Sequence, residues 1–204
     1  LISPLLGPIL GLGLSISTND IDTLKSSITN TLVMVFLSIG TAYIFFISIP
    51  ISEETPELLS RTSPDIRDVL IAFFGGLALI IAKTKKENIS SAIFGVAIAT
   101  ALMPPLCTVG YYLAEGELLK ARGAILLFLI NTLYIIVATY LTLKVLRFPL
   151  IVYANSRRRR FIANAIALIA ISSFIFAGYK FGGVIKKSTF ETEARNFLNT
   201  ELSM

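Results

Sequence analysis

Long uncharged apolar runs alternate with short polar segments along this chain. A helix needs about 20 apolar residues to cross the hydrocarbon core of a bilayer. By that length the sequence predicts six membrane-spanning segments, at residues 1–16, 27–49, 68–82, 89–114, 123–146 and 161–178. The pattern therefore predicts an all-α, polytopic integral membrane protein.

The polar segments between these runs predict where helices start. Residues 17–22 are rich in capping residue types, which indicates a turn and the beginning of the second span. Ser63 and Pro64 predict the entry to the third span, with the serine as cap and the proline at the first helical position. The third span is short, so either its polar first turn lies at the interface or its pair of glycines allows close packing.

Two of the apolar runs contain prolines. Pro104 and Pro105 lie within the fourth span, and Pro4 and Pro8 lie in the first. Proline removes a backbone donor, so we expect these helices to kink or break, with the freed backbone groups buried in protein or lining a watery cavity. The alternative is that the prolines only kink helices that pack closely through their glycines.

A weak internal repeat relates the two proline stretches. Shifting the sequence by 101 residues places Pro4 on Pro105 and residues 30–32 on residues 131–133, both Asn-Thr-Leu. Three crossings separate the matched spans, so the halves are expected to be inverted. Inverted repeats with interrupted spans are typical of secondary transporters that bind their substrate near the bilayer midplane.

The repeat also predicts the organisation of the chain. Residues 1–180 would form the membrane core, with 1–49 as the remainder of the first half, 68–146 as the second half and 161–178 as an extra span. Residues 181–204 would be a polar tail or the start of a further domain. Because the chain begins inside an apolar run, we also expect an earlier part of the protein to precede it.

Composition agrees with a membrane location, at 54% hydrophobic residues and a mean hydropathy of +0.78. The net charge of +5 comes from basic residues in short loops, which favours positive-inside topology over a nucleic-acid partner. We therefore expect a multi-pass protein of the cell (inner) membrane, with the arginine run in the cytoplasm and the C-terminal tail outside. The run would also suit anionic lipid, although a topology signal needs no partner; its members are Arg157, Arg158, Arg159 and Arg160.

Catalytic chemistry is not expected. The chain has no histidine, which excludes histidine zinc sites and Ser-His-Asp triads within it, and no span contains paired carboxylates. We expect no metal and no cofactor. Without charges deep in the spans, a neutral or anionic solute is a better candidate ligand than a multivalent cation.

Candidate ligand-binding residues are the prolines, the small or hydroxyl residues beside them, the two repeated asparagines and one acid near a span. They are Ser3, Pro4, Gly7, Pro8, Asn30, Asp68, Thr100, Pro104, Pro105, Thr108 and Asn131. Each has a structural alternative: an asparagine in a span commonly bonds to a neighbouring helix, and an acid at a helix start is ordinary.

Three stretches resemble the hallmark sequences of a hydrophobic bacterial and archaeal family called "domain of unknown function 389". They are residues 2–11, residues 61–64 together with Asp68, and residues 95–106. The resemblance implies a further span before the first stretch, which would make seven crossings with a cytoplasmic N-terminus and an external C-terminus. It says little about activity.

Two hypotheses about function remain open. The chain is either a transporter or permeation pathway with its site at the paired proline stretches, or a structural or sensory module that anchors soluble domains. A polar, hydrated cavity between residues 3–8 and 103–108 would favour transport. A homo-oligomer is compatible with both hypotheses.

Overall fold

A computed structural model describes residues 4–18, 20–49, 54–84 and 88–147. The described chain is helical and contains no strand, which confirms the all-α prediction. Ser3, the predicted span at 161–178, the arginine run and the tail lie outside the described residues. The helices are α1 (Leu6–Thr18), α2 (Ile21–Ser48), α3 (Pro56–Ser60), α4 (Ile66–Thr84), α5 (Asn88–Ala114) and α6 (Leu118–Val145).

Within the described residues, three stretches of helix are long and apolar enough to cross a membrane. They are α2, the part of α5 from Gly95 to Ala114, and α6, while α1 is a shorter apolar helix. The chain is therefore a polytopic membrane protein.

Two helices begin before the apolar runs that predicted them. The Asp20 carboxylate accepts hydrogen bonds from the backbone N–H groups of Asp22 and Thr23, so α2 begins before position 27, where the sequence predicted its span to start. In the turn between α5 and α6, Gly116 has a φ of 78° and the Glu117 N–H donates to the Tyr112 carbonyl at 2.8 Å. This left-handed C-terminal cap lets α6 begin at Leu118 and not at 123.

The entry to α4 differs from the prediction. Asp65 occupies the capping position, because its carbonyl accepts from the N–H groups of Asp68 and Val69. Its own N–H donates to the Asp68 carboxylate at 3.0 Å, which is the reciprocal bond of a capping box. Ser63 is therefore not the cap, and Pro64 lies outside the helix.

The expected break in the fourth span is also corrected. Helix α5 runs through Pro104 and Pro105 without interruption, so the prolines remove two backbone hydrogen bonds and no helical turn. In α1, by contrast, Pro8 lies in the first turn, where a missing N–H costs nothing. The two proline stretches thus differ locally: one is a helix start and the other a helix interior.

Contacts between helices define their directions. Gly11 of α1 lies beside Ser27 of α2, as expected for an antiparallel hairpin. Helix α5 packs against α2, α4 and α6, and α1 packs against α2 and α6.

Helices α2 and α5 run parallel, since Ser38 contacts Met103 and Ala42 contacts Gly110 farther along both. The short turn between α5 and α6 makes that pair antiparallel. It follows that α1 and α6 share one direction, and α2 and α5 the opposite one.

Helix α4 runs parallel to α6. The residues just before α4 meet the start of α6, where Thr62 lies against Gly123, and Gly76 farther along α4 lies against Ala138. The bundle therefore has two ends. One end holds the α1–α2 turn, the α4–α5 connection and the end of α6, and the other holds α3 and the α5–α6 turn.

Charge differs between these ends. The basic end carries Lys25, Lys83, Lys144 and Arg147 together with Asp20 and Asp22. The acidic end carries Glu54, Glu57, Asp65, Asp68, Glu115, Glu117, Arg61, Arg67, Lys120 and Arg122.

Glycines allow the closest approaches between the predicted halves. A Cβ on Gly13 of α1 would lie 2.5 Å from the Thr139 Cβ of α6, and one on Gly110 of α5 would lie 2.5 Å from the Ala42 Cβ of α2. Helix α1 of the first predicted half therefore packs against α6 of the second, and α5 of the second packs against α2 of the first. Close contact through small residues is how helices associate within lipid.

Candidate functional site

Asn131 lies at the centre of the bundle. It is halfway along α6, and its side chain is 2% exposed. Its Nδ2 donates to the backbone carbonyl of Ala101 at 3.0 Å, and Ala101 is halfway along α5. Both residues lie within apolar helical stretches long enough to cross a bilayer, Gly95–Ala114 and Leu118–Val145, so we expect this hydrogen bond to lie within the hydrocarbon core.

The prolines explain why an amide is found here. In a regular helix the N–H of residue 105 would donate to the Ala101 carbonyl, but Pro105 has no N–H. A carbonyl left unpaired in a buried site costs about 1–3 kcal/mol. Asn131 supplies the missing donor from the neighbouring helix. This hydrogen bond holds α6 against α5 at the turn where the prolines interrupt the backbone hydrogen bonding of α5.

Polar atoms without partners lie beside this bond. Among the described residues, the Oδ1 of Asn131 and the hydroxyls of Thr132 and Thr139 are buried and have no hydrogen-bond partner. Other buried hydroxyls bond to their own helix, as Thr108 does to the Pro104 carbonyl at 2.9 Å and Thr142 to the Ala138 carbonyl at 2.8 Å. Buried polar groups are normally paired, so these three atoms call for an explanation.

The start of α1 lies at the same depth. Gly13 contacts Thr139, and the two helices run parallel. Leu6 and Thr132 each lie seven residues earlier in their helices, so the first turn of α1 is level with Thr132. The first N–H groups of a helix have no intrahelical acceptor and carry partial positive charge.

Apolar side chains close the space around these groups. Leu5, Leu102 and Leu106 are 0%, 0% and 1% exposed and belong to one buried cluster that joins α1, α4, α5 and α6. In this conformation the region between the two proline stretches is packed with apolar side chains.

The structure brings only some of the predicted residues together. Pro105 and Thr108 are buried, and Pro104 is half-buried, on the turns of α5 next to the Asn131 contact. Pro4, Gly7 and Pro8 are at the start of α1, where Pro4 and Gly7 are exposed and Pro8 is half-buried.

Other candidates lie elsewhere. Thr100 is exposed, and its hydroxyl bonds to its own helix at the Ala97 carbonyl. Asn30 is exposed on α2, and Asp68 caps α4 at the acidic end.

Sequence reasoning missed two features of the site region. Thr132 and Thr139 were not candidates, although Thr132 lies inside the repeated Asn-Thr-Leu stretch. At the acidic end, the Glu54 carboxylate accepts hydrogen bonds from the Tyr112 hydroxyl at 2.5 Å and the Lys120 ammonium at 2.9 Å. These residues are far apart in sequence, so no local pattern indicated the contact.

The same contact affects the charge state of Glu54. The hydrogen bond from Tyr112, followed by that from Lys120, lowers the pKa of the Glu54 carboxyl below its usual value. The connection after α2 is thereby held to the turn between α5 and α6 by an ionised carboxylate.

Charged and metal-binding groups are absent from the centre of the described bundle. Within the described helices, every charged side chain lies within five residues of a helix end. No group of three or more His, Cys, Asp or Glu side chains in the described ranges is placed to hold a metal ion.

The sequence profile of the family described as "Domain of unknown function (DUF389)" matches residues 1–137. The chain belongs to this family. The match covers α1 to α5 and continues through Asn131, so the central contact lies inside the DUF389 region.

An uncharacterised protein of the archaeon Methanocaldococcus jannaschii is 34% identical to this DUF389 chain over 139 residues. The alignment covers 66% of this chain and 42% of the relative, so the chain spans less than half of that protein's length. No solved structure matches the chain.

Proposed function

We propose that this DUF389 chain is a transporter or permeation pathway for a small solute or ion, with its binding site where Asn131 meets α5. The observation that carries the proposal is the unpaired Oδ1 of Asn131, buried near the midplane beside an interrupted backbone ladder. Polar groups at that depth are costly and commonly mark substrate pathways.

The directions of the helices support an inverted repeat. Helix α1 runs opposite to α5, its partner in the repeat, and α2 runs opposite to α6. In the contacts between the halves, Gly13 of α1 packs against α6 and Gly110 of α5 packs against α2. In the proposed mechanism one half rocks against the other at these contacts, and the apolar cluster of Leu5, Leu102 and Leu106 closes the site between openings.

The proposal also includes topology. The basic end, with Lys83 and Arg147, faces the cytoplasm of the cell membrane, and the acidic end faces outside. No catalytic role is assigned to any residue. Attaching a membrane-impermeant label to cysteines introduced at position 57 or 83 in a Cys107→Ala background would test this orientation in intact cells.

Flux measurements test the function itself. The full-length protein in proteoliposomes should pass a solute that empty liposomes exclude, and Asn131→Leu should reduce that flux about tenfold, since one lost hydrogen bond is worth up to about 1.4 kcal/mol. Asn30→Leu is the matched control, because Asn30 is exposed. Absence of flux for neutral solutes, anions and cations alike would rule the proposal out.

The packed apolar cluster favours a second candidate, a structural or sensory membrane module. Leu5, Leu102 and Leu106 leave the central region closed in this conformation. If every tested solute fails to cross while the protein remains folded, the anchoring role becomes the better account.

A further inference from the structure

The chemistry available at the centre of the bundle restricts what this site accepts. Charged side chains in the described helices are confined to the helix ends. An ion at the midplane would therefore have no opposite side-chain charge nearby, and desolvating an unpaired charge is far costlier than desolvating a neutral polar group. An uncharged ligand avoids that cost.

Two kinds of hydrogen-bonding group are present at one depth. Asn131 offers an acceptor in its Oδ1, which has no partner among the described residues, while an N–H of its Nδ2 donates to Ala101. Thr132 offers a hydroxyl that has no partner among the described residues. The first turn of α1 is level with it, and there Leu6 and Gly7 carry an N–H group whereas Pro8 does not.

The acceptor and the hydroxyl are on adjacent residues of α6 but face different neighbouring helices. Asn131 points to α5, where it bonds Ala101, whereas Thr132 shares its face of α6 with Thr139, which contacts Gly13 of α1. A ligand between them would receive hydrogen bonds on the α1 side and donate one on the α5 side.

We infer that this site binds a small uncharged solute that presents an acceptor oxygen next to a donor N–H or O–H, as a primary amide, urea or a protonated carboxylic acid does. The oxygen accepts from Thr132 and the first turn of α1, and the donor bonds Asn131 Oδ1. This inference rests on the proposed transport function and names its substrate class.

The experiment uses the full-length protein in proteoliposomes, with urea and acetamide as uncharged probes and potassium chloride as the ionic probe. Urea and acetamide entry is followed by stopped-flow light scattering, and ion entry with fluorescent indicators inside the vesicles. The expected result is solute-driven swelling above that of empty vesicles and no potassium or chloride flux.

Matched variants test which side chains the urea flux depends on. Thr132→Val keeps the shape of the side chain and removes the hydroxyl, so it should lower urea flux several-fold, up to about tenfold for one hydrogen bond. Asn131→Leu should lower it at least as much. Asn30→Leu and Thr31→Val occupy the corresponding positions of α2 and should leave the flux unchanged.

Each outcome separates the inference from the function on which it rests. Ion flux without urea or acetamide flux would overturn the substrate class and keep the transport proposal. Urea flux that Thr132→Val leaves unchanged in a folded protein would overturn the site. Failure of all probes would remove both. Because Asn131→Leu removes a bond between helices, Thr132→Val carries the test if that variant does not fold.

Discussion

Helices α2 and α6 have the same length and carry the same Asn-Thr-Leu stretch near their centres, yet their environments differ. In α6 the asparagine is 2% exposed and bonds Ala101, whereas Asn30 in α2 is exposed. Thr31 bonds the Ser27 carbonyl of its own helix, and Thr132 has no partner. The asparagine and threonine thus form a buried polar pair in α6, whereas in α2 the asparagine is exposed and the buried threonine bonds to its own helix.

The neighbours of each helix account for the difference. Helix α6 packs against α1, α4 and α5, with Gly76 of α4 lying close to the backbone of Ile135. Helix α2 packs mainly against α1 and α5, and its outer face exposes large apolar side chains to lipid; they include Leu32, Val33, Phe36, Leu37 and Ile44. Within the described part of the chain, neighbouring helices bury Asn131 and leave Asn30 exposed, which accounts for the different chemistry of the repeated sequence.

The largest effect is expected at Gly110. Gly110→Leu would force a side chain into the backbone of α2, where a Cβ would already lie 2.8 Å from the Tyr43 nitrogen. We expect a loss of about 3 kcal/mol in the free energy of unfolding. Thermal unfolding in detergent measures it.

Gly40 is the control for this prediction, because a Cβ there meets no atom within 4 Å. Gly40→Leu on the free face of α2 should leave the melting temperature unchanged or raise it. Equal losses at the two glycines would show that α5 and α2 do not pack as described.

Asn131→Leu should follow in size. The substitution leaves the Ala101 carbonyl without a donor in a buried site, and we expect a loss of about 2 kcal/mol in the free energy of unfolding. Asn30→Leu replaces an exposed amide facing lipid and should be neutral or stabilising. Equal melting temperatures for the two variants would contradict the comparison between α2 and α6.

Thr132→Val should change stability less and in the opposite direction. Removing a buried hydroxyl that has no partner is expected to stabilise the fold by about 0.5–1 kcal/mol. Thr31→Val removes a hydroxyl bonded to Ser27 and should be neutral or slightly destabilising. A clear loss of stability in Thr132→Val would mean that its hydroxyl is paired in the native state.

The smallest effect concerns pH and compares the two hairpin turns. Hydrogen bonds lower the pKa of Asp20 within the α1–α2 turn, mainly from Thr23, and that of Glu54, mainly from Tyr112. A lowered native pKa gives stability that is complete above the unfolded value and is lost as pH falls through the native one. Melting temperatures should therefore fall below about pH 4.5.

Two variants separate the contributions of the two turns to the pH dependence of stability. Glu54→Gln should remove the part of this pH dependence that comes from the hydrogen bonds of Glu54 with Tyr112 and Lys120. Asp20→Asn keeps a capping side chain and should remove the part that comes from the Asp20 carboxylate. A pH profile unchanged by Glu54→Gln would show that the Glu54 contacts do not persist in solution.

Much of the fold follows from local patterns. The apolar runs predicted every long helix that the structure describes, because lipid requires backbone groups to bond within the helix. Helix ends were less predictable. The Asp20 carboxylate caps an earlier start of α2, and the left-handed turn at Gly116 allows an earlier start of α6; apolar length predicts neither. Asp65 displaced Ser63 as the cap of α4 because Asp68 completes the capping box.

The candidate site was partly predictable. Asn131 and the prolines were identified from the sequence. The hydrogen bond from Asn131 to the Ala101 carbonyl has a simple basis, because Pro105 has no N–H to donate to that carbonyl. Asn30 was treated as its equal because the two residues share a sequence context. Local sequence does not include the neighbour that buries one and leaves the other exposed.

The sequence by itself determined that the chain is a helical membrane protein of the DUF389 family, since apolar length and local composition dictate helices in lipid. Only the tertiary structure decided that α5 continues through its prolines, that Asn131 donates to the Ala101 carbonyl left without a partner by Pro105, and that the Thr132 hydroxyl has no partner. Those features depend on which helices meet and at what depth. Contacts between residues distant in sequence set both, and no local pattern records them.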